Sequence, residues 1–266
     1  MQTPILSSIQ GFFVTKFPMW ELGYLLDESW LHEDALNALM ELVYLRHYAL
    51  AALQLHSTIQ QPNSLILPSS FLSDARRVYS AQSPQFMTEM LNLRERFRHA
   101  EILNVTIPSI SGNHFVGYIY HPGMSTIQHA DSLGRAPEPD VLPILQWVFA
   151  GVHEIPIIQI ESINVSQQGG RNGGDGSCGF ATLNSLERSI DPSISSWNGP
   201  MSTIFRNSAL EDLILYNYIA RAFNVSFLEP VLDGFAPENA LESRACGFND
   251  FNMLIPSVCP FLSCAF

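Results

Sequence analysis

The sequence predicts an α+β fold in which helices surround a short, mostly antiparallel sheet. Three observations carry that reading. Apolar residues recur at helical spacing over residues 34–55, where Leu36, Leu39, Met40, Val43 and Leu50 fall on one stripe. Residues 101–130 then change character and hold three β-rich runs, "EILNVTIPSI", "HFVGYIY" and "MSTIQHA". Helical spacing returns after a glycine-rich run, in "CGFATLNSLE", where Phe180, Leu183 and Leu186 share a face. Helices segregated from a run of strands give the α+β pattern rather than the alternation of a parallel sheet.

The remaining elements follow in order. His47 lies on the first helix's apolar stripe and reads as a packed core histidine. A looser region around Pro62 and Pro68 comes next. A second helix is expected over 84–98; its basic end, "RERFRH", suits a helix C-terminus. After the β-rich stretch come a helix near 141–150, a strand at "IPIIQI" (155–160), the helix starting at Cys178, and a last helix over about 210–223. The final forty residues, rich in Phe and Pro, read as irregular. No repeat or low-complexity block divides the chain, so residues 1–266 are expected to form a single catalytic domain.

Composition narrows the partners. Apolar residues make up 47% of the 266 residues and charged ones 14%, enough to bury a core. The net charge of −12 argues against a nucleic-acid partner, which needs basic surface to neutralise phosphates. No apolar run reaches the length of a membrane span, and "MQTPILSSIQGFFVTK" predicts no signal peptide. The four cysteines, Cys178, Cys246, Cys259 and Cys264, are unevenly placed and form neither a disulfide framework nor a zinc pattern. A reducing intracellular location, nucleus or cytoplasm, is expected, with no metal and no cofactor.

The chemistry concentrates in two places. Cys178 sits between "GGDGS" and a helical pattern. Glycines there would leave the sulfur uncovered and free backbone N–H groups for an oxyanion hole. A helix N-terminus would also favour a thiolate. Upstream, a hairpin centred on Pro122-Gly123 would set His114 directly opposite Asp131, with Cβ atoms about 5 Å apart. A carboxylate behind an imidazole fixes its tautomer, and the imidazole activates a thiol. Each part alone has a plainer reading: Cys178 as a small core residue, His114 as a polar strand end, Asp131 as a turn residue. His129 is a rival base, but in this register it faces Val116 and lacks a carboxylate. The order His, Asp, Gly-rich loop, Cys is more specific than any member.

These residues resemble the ubiquitin-like-protein proteases, the SUMO/sentrin-protease family of papain-like cysteine peptidases. "ESWLHEDALNALMELVYL" is similar to the family's Trp-Leu lead into a long helix. "AEILNVTIPSISGNHFVGYIYHPGMSTIQHADSLG" is similar to its His-bearing strand and its Asp-Ser-Leu strand end. "VSQQGGRNGGDGSCGFATLN" is similar to its Gln-containing loop before the cysteine. The resemblance spans about residues 20–190, leaving 191–266 as a C-terminal helix and tail. It implies a papain-like fold with His114 as general base, Asp131 as its orienter and Cys178 as nucleophile. It implies Gln168 as the oxyanion donor, with Gln167 and Asn172 as alternatives because the loop here is longer. It implies substrate contacts at Trp30, Gly179 and Phe115, the last standing where the family has a second tryptophan.

The implied activity is a cysteine peptidase or isopeptidase that cleaves after Gly of a ubiquitin-like modifier through a thioester acyl-enzyme. The implied partner is a ubiquitin-like protein or its conjugates. Two alternatives stand beside it: a catalytically degenerate module that binds a modifier, and an acyltransferase using the same triad.

Overall fold

The computed structural model describes residues 8–222, apart from 11, 13–14, 27–28, 54–63, 82–87, 89–90, 92, 96, 99–101, 103, 153–154 and 167–175. Its long first helix, α1, covers Glu33–Leu53, and the stripe residues Leu36, Leu39, Met40 and Val43 are buried. A short 3-10 helix, Met19–Leu25, precedes it. Strand β1 (Ser64–Ile66) and helix α2 (Phe71–Ala81) occupy the region expected to be loose. Residues 88, 91, 93–95, 97 and 98 are helical, within the expected second helix.

Three central strands follow: β2 (Asn104–Ser111), β3 (His114–Tyr120) and β4 (Thr126–Ala130). Then come α3 (Val141–Val148), β5 (Gln159–Ser162), α4 (Cys178–Ile190) and α5 (Ser202–Ala222). The strand expected at 155–160 lies further along the chain, at β5. Ile155 and Ile158 are exposed instead of paired in the ladder; residues 159–162 pair with β4. The last helix starts earlier than expected. Asn198 caps the turn that leads into it, its side chain accepting from the Met201 N–H.

The five strands lie in chain order across one sheet. The central three are antiparallel, and β1 and β5 add to the two sides in parallel. Each parallel pairing needs a crossover, supplied on one side by α2 and on the other by α3. Every residue of β3 is buried, because both faces of the sheet are covered. On one face Phe115, Ile119 and Ala130 pack with α1, α4 and α5. On the other Val116, Tyr118, Tyr120 and Ile127 pack with α2 and α3. The alternation of successive side chains sorts the strand residues between these two cores.

Strand β3 lies unusually close to α4. A Cβ at Gly117 would stand 2.8 Å from Leu186 Cδ2, so only glycine lets the helix seat on the sheet there. Asn184 locks the other side of α4. Its Nδ2 donates to Ser195 O at 2.8 Å, and its Oδ1 accepts from the Trp197 N–H at 2.7 Å. No helix among the described residues is long and apolar enough to cross a membrane.

Candidate active site

The hairpin between β3 and β4 turns at Pro122-Gly123, as expected. Met124 N–H donates to His121 O at 3.0 Å, and Gly123 has φ +92, the left-handed position of a type II turn that favours glycine. The register differs from expectation by two residues. Tyr118 pairs with His129 and Gly117 with Ala130, because Ser125 and Thr126 lengthen only the β4 side of the loop. His114 and Asp131 are therefore diagonal neighbours, not directly opposed. A two-residue shift keeps both side chains on one face, where a one-residue shift would have separated them.

The diagonal is short enough for a hydrogen bond. His114 Nε2–H donates to Asp131 Oδ1 at 2.7 Å, with both side chains buried. The same oxygen accepts from the Leu133 N–H at 2.6 Å, which fixes the carboxylate in the turn after β4. With the proton on Nε2, His114 Nδ1 is the ring's acceptor. It is buried and has no hydrogen-bond partner.

Cys178 is the first residue of α4, preceded by Ser177 at the N-cap. Gly176 enters with φ +76, a conformation that makes the last glycine of the loop a structural requirement. The sulfur lies within hydrogen-bond reach of the Phe115 and Gly179 N–H groups. Phe115 follows His114, so the sulfur meets the sheet beside the histidine's own backbone. By strand alternation His114 and Asp131 face the opposite core from Phe115. Cys178 packs on the Phe115 side, next to the backbone of His114.

The expected exposed, thiolate-favouring sulfur is not what the structure holds. Cys178 is 0% exposed and belongs to the core formed with Leu31, Phe115 and Phe180. Burial pushes its thiol above the ordinary value, against the smaller pull of the Phe115 and Gly179 N–H groups. The packing of the "GF" turn beneath the sheet end outweighs the opening that the glycines suggest.

His129, the rival base, faces Tyr118 instead of Val116, and its ring lies 5.0 Å from the tyrosine ring. Burial holds its pKa below the ordinary histidine value, against the pull of Asp131. Asp131 bonds to His114 and not to this ring.

Among the expected substrate contacts, Trp30 is 47% exposed and Phe115 6%. Gly179 is in tight contact with the segment that carries Trp30: a Cβ there would stand 2.7 Å from Leu31 Cδ2 and 2.9 Å from Leu31 Cβ. Gln168, with Gln167 and Asn172, lies outside the described residues. So do Cys246, Cys259 and Cys264.

Two supporting residues escaped the sequence reading. Leu31, beside Trp30, is the residue that seats on the start of α4. Arg206 of α5 is buried, donates from Nη1 to Tyr24 O at 3.2 Å, and holds its guanidinium 4.9 Å from the centre of the Phe180 ring. The Trp-Leu motif pointed to the first. An arginine in an amphipathic helix gave no signal for the second.

A mixed five-stranded sheet between two helical layers, with cysteine at a helix start and a His–Asp pair at a strand end, defines a papain-like cysteine-protease architecture. Solved structures similar to the chain include SUMO-protease domains. The Ulp1 protease domain in complex with Smt3, the yeast ortholog of SUMO, shares 17% identity over 80% of this chain and 89% of its own, with a TM-score of 0.58. A SUMO protease Ulp1 whose catalytic cysteine is oxidised to a sulfenic acid gives 15%, 80%, 89% and 0.59. The Ulp1-like SUMO protease catalytic domain of Chaetomium thermophilum gives 19%, 71%, 74% and 0.51. At these identities the likeness is one of fold. No protein-family profile matches the chain, and no curated protein matches it significantly in sequence.

Proposed function

We propose that the protein is a thiol-dependent peptidase or isopeptidase that cuts after Gly of a ubiquitin-like modifier. The observation that carries this reading is the buried His114–Asp131 pair with its Nδ1 unbonded, on the strand whose next residue, Phe115, offers its N–H to the Cys178 sulfur. Nδ1 takes the thiol proton, and the sulfur attacks the carbonyl carbon of the scissile bond. Asp131 holds the imidazolium that forms. The imidazolium then protonates the leaving amine, and a thioester remains. Water, deprotonated by the same nitrogen, hydrolyses the thioester and frees the modifier.

Backbone N–H groups at the start of α4 offer donors for the oxyanion, completed by a side-chain amide from Gln168, Gln167 or Asn172. Trp30 and Phe115 are the side chains that would meet the Gly-containing tail, beside Gly179, on which Leu31 packs. The neighbour solved with Smt3 supports a ubiquitin-like protein as partner. The test is cleavage of a SUMO-type precursor with a C-terminal extension after Gly-Gly. Wild type should release the extension and Cys178→Ala should not. Undiminished release by Cys178→Ala would refute the assignment.

The complete burial of Cys178 favours a second reading, a module that binds a modifier without cutting it. Such a protein would retain the modifier in a pull-down and leave the precursor intact.

A further inference from the structure

We propose that Glu21, His32 and Asp34 form a divalent transition-metal site of the Zn2+ class, separate from the candidate active site. One potential ligand atom from each residue lies within 4.8 Å of the other two. Glu21, on the 3-10 helix, is only 1% exposed. Its Oε2 is buried, pairs with His32 Nδ1 at 3.2 Å outside good hydrogen-bond geometry, and has no other hydrogen-bond partner among the described residues. Two ligands on one tetrahedral zinc, with bonds of about 2.0–2.1 Å, stand about 3.3 Å apart. The Glu21–His32 spacing, that of an ion pair, also fits two ligands of one ion, and a ligand atom of Asp34 lies within 4.8 Å of both.

The charges agree with this assignment. Two carboxylates balance a divalent ion and a neutral imidazole completes the set, a donor combination suited to zinc rather than to calcium or magnesium. The His32 side chain is half exposed, which leaves room for water in a fourth position. The ion ties the 3-10 helix to the start of α1 across the segment holding Trp30 and Leu31. Leu31 rests against Gly179, so the tie braces the packing at the start of α4. The inference stands whether or not the protein is a peptidase.

The test is metal binding by the full chain after chelator stripping, followed by calorimetry with Zn2+ and by Trp fluorescence with Co2+. Trp20 is the local reporter, its ring 6.4 Å from that of His32. Cys178→Ala is measured in parallel, because a thiol beside a histidine is a rival zinc ligand. One Zn2+ should bind per chain in both wild type and Cys178→Ala, and Co2+ should quench Trp20. Affinity should fall by at least ~10-fold in Glu21→Gln and His32→Ala. His32 is exposed enough for its variant to fold should Glu21→Gln fail. No binding by wild type, unchanged affinity in His32→Ala, or loss of binding in Cys178→Ala would each overturn the proposal.

Discussion

In the proposed mechanism His114 works through its two nitrogens. Nε2 is committed to Asp131 and Nδ1 is left as the acceptor. Asp131→Asn keeps the shape but turns an obligate acceptor into a group that can donate, so the ring takes the wrong tautomer. Turnover of the precursor should drop by roughly 10³–10⁴-fold with little change in thermal stability; a drop below tenfold would count against the assigned role. The Cys178 thiol supplies a second prediction. Burial raises its pKa, and a protonated His114 nearby would work in the other direction. In His114→Ala burial remains, opposed only by the smaller pull of the backbone N–H groups. Alkylation of Cys178 by iodoacetamide should then rise with pH through a midpoint above the ordinary thiol value of about 8.5, followed by peptide mass spectrometry. A midpoint below that value would show that the histidine plays no part. Much of this was legible from residue types and order alone. The burial of the sulfur was not, because it depends on Leu31 and Phe115, which are distant in sequence and converge only through the fold.

The start of α4 is built from contacts between elements. Gly179 admits no side chain, because Leu31 fills the space where Cβ would stand. Gly179→Ala should destabilise the protein by about 1–3 kcal/mol, the usual cost of overpacking, and should slow cleavage by displacing the Trp30 segment. Thermal unfolding and precursor cleavage check both effects; an unshifted Tm would mean that the segment yields freely.

The strongly periodic elements, α1 and α4, and the apolar β2 and β3 could be read from sequence, because each buries a whole face or both faces. Helix α2 also carries a stripe, Phe71, Leu72, Ala75 and Val78, all buried. The surrounding prolines and serines masked it. Strand β1 has three residues, too few for any periodicity. The β3–β4 register was misjudged by two residues because the turn is centred correctly but its flanks are unequal. Sequence symmetry about Pro122-Gly123 does not reveal that.

At the scale of the molecule, one sheet separates two cores, and the candidate site lies at its end. Elements α1, α4 and α5 on one face position Cys178 and Leu31. Strands β3 and β4 position His114 and Asp131. The proposed acyl chemistry requires these two groups to act together. The most direct measurement is covalent capture by a SUMO-type modifier carrying a C-terminal electrophile, with the adduct located by mass spectrometry. The account predicts a single adduct on Cys178 in wild type, none in Cys178→Ala, and much slower capture in His114→Ala. An adduct on Cys246, Cys259 or Cys264 instead, no adduct at all, or capture at the same rate without His114 would contradict it.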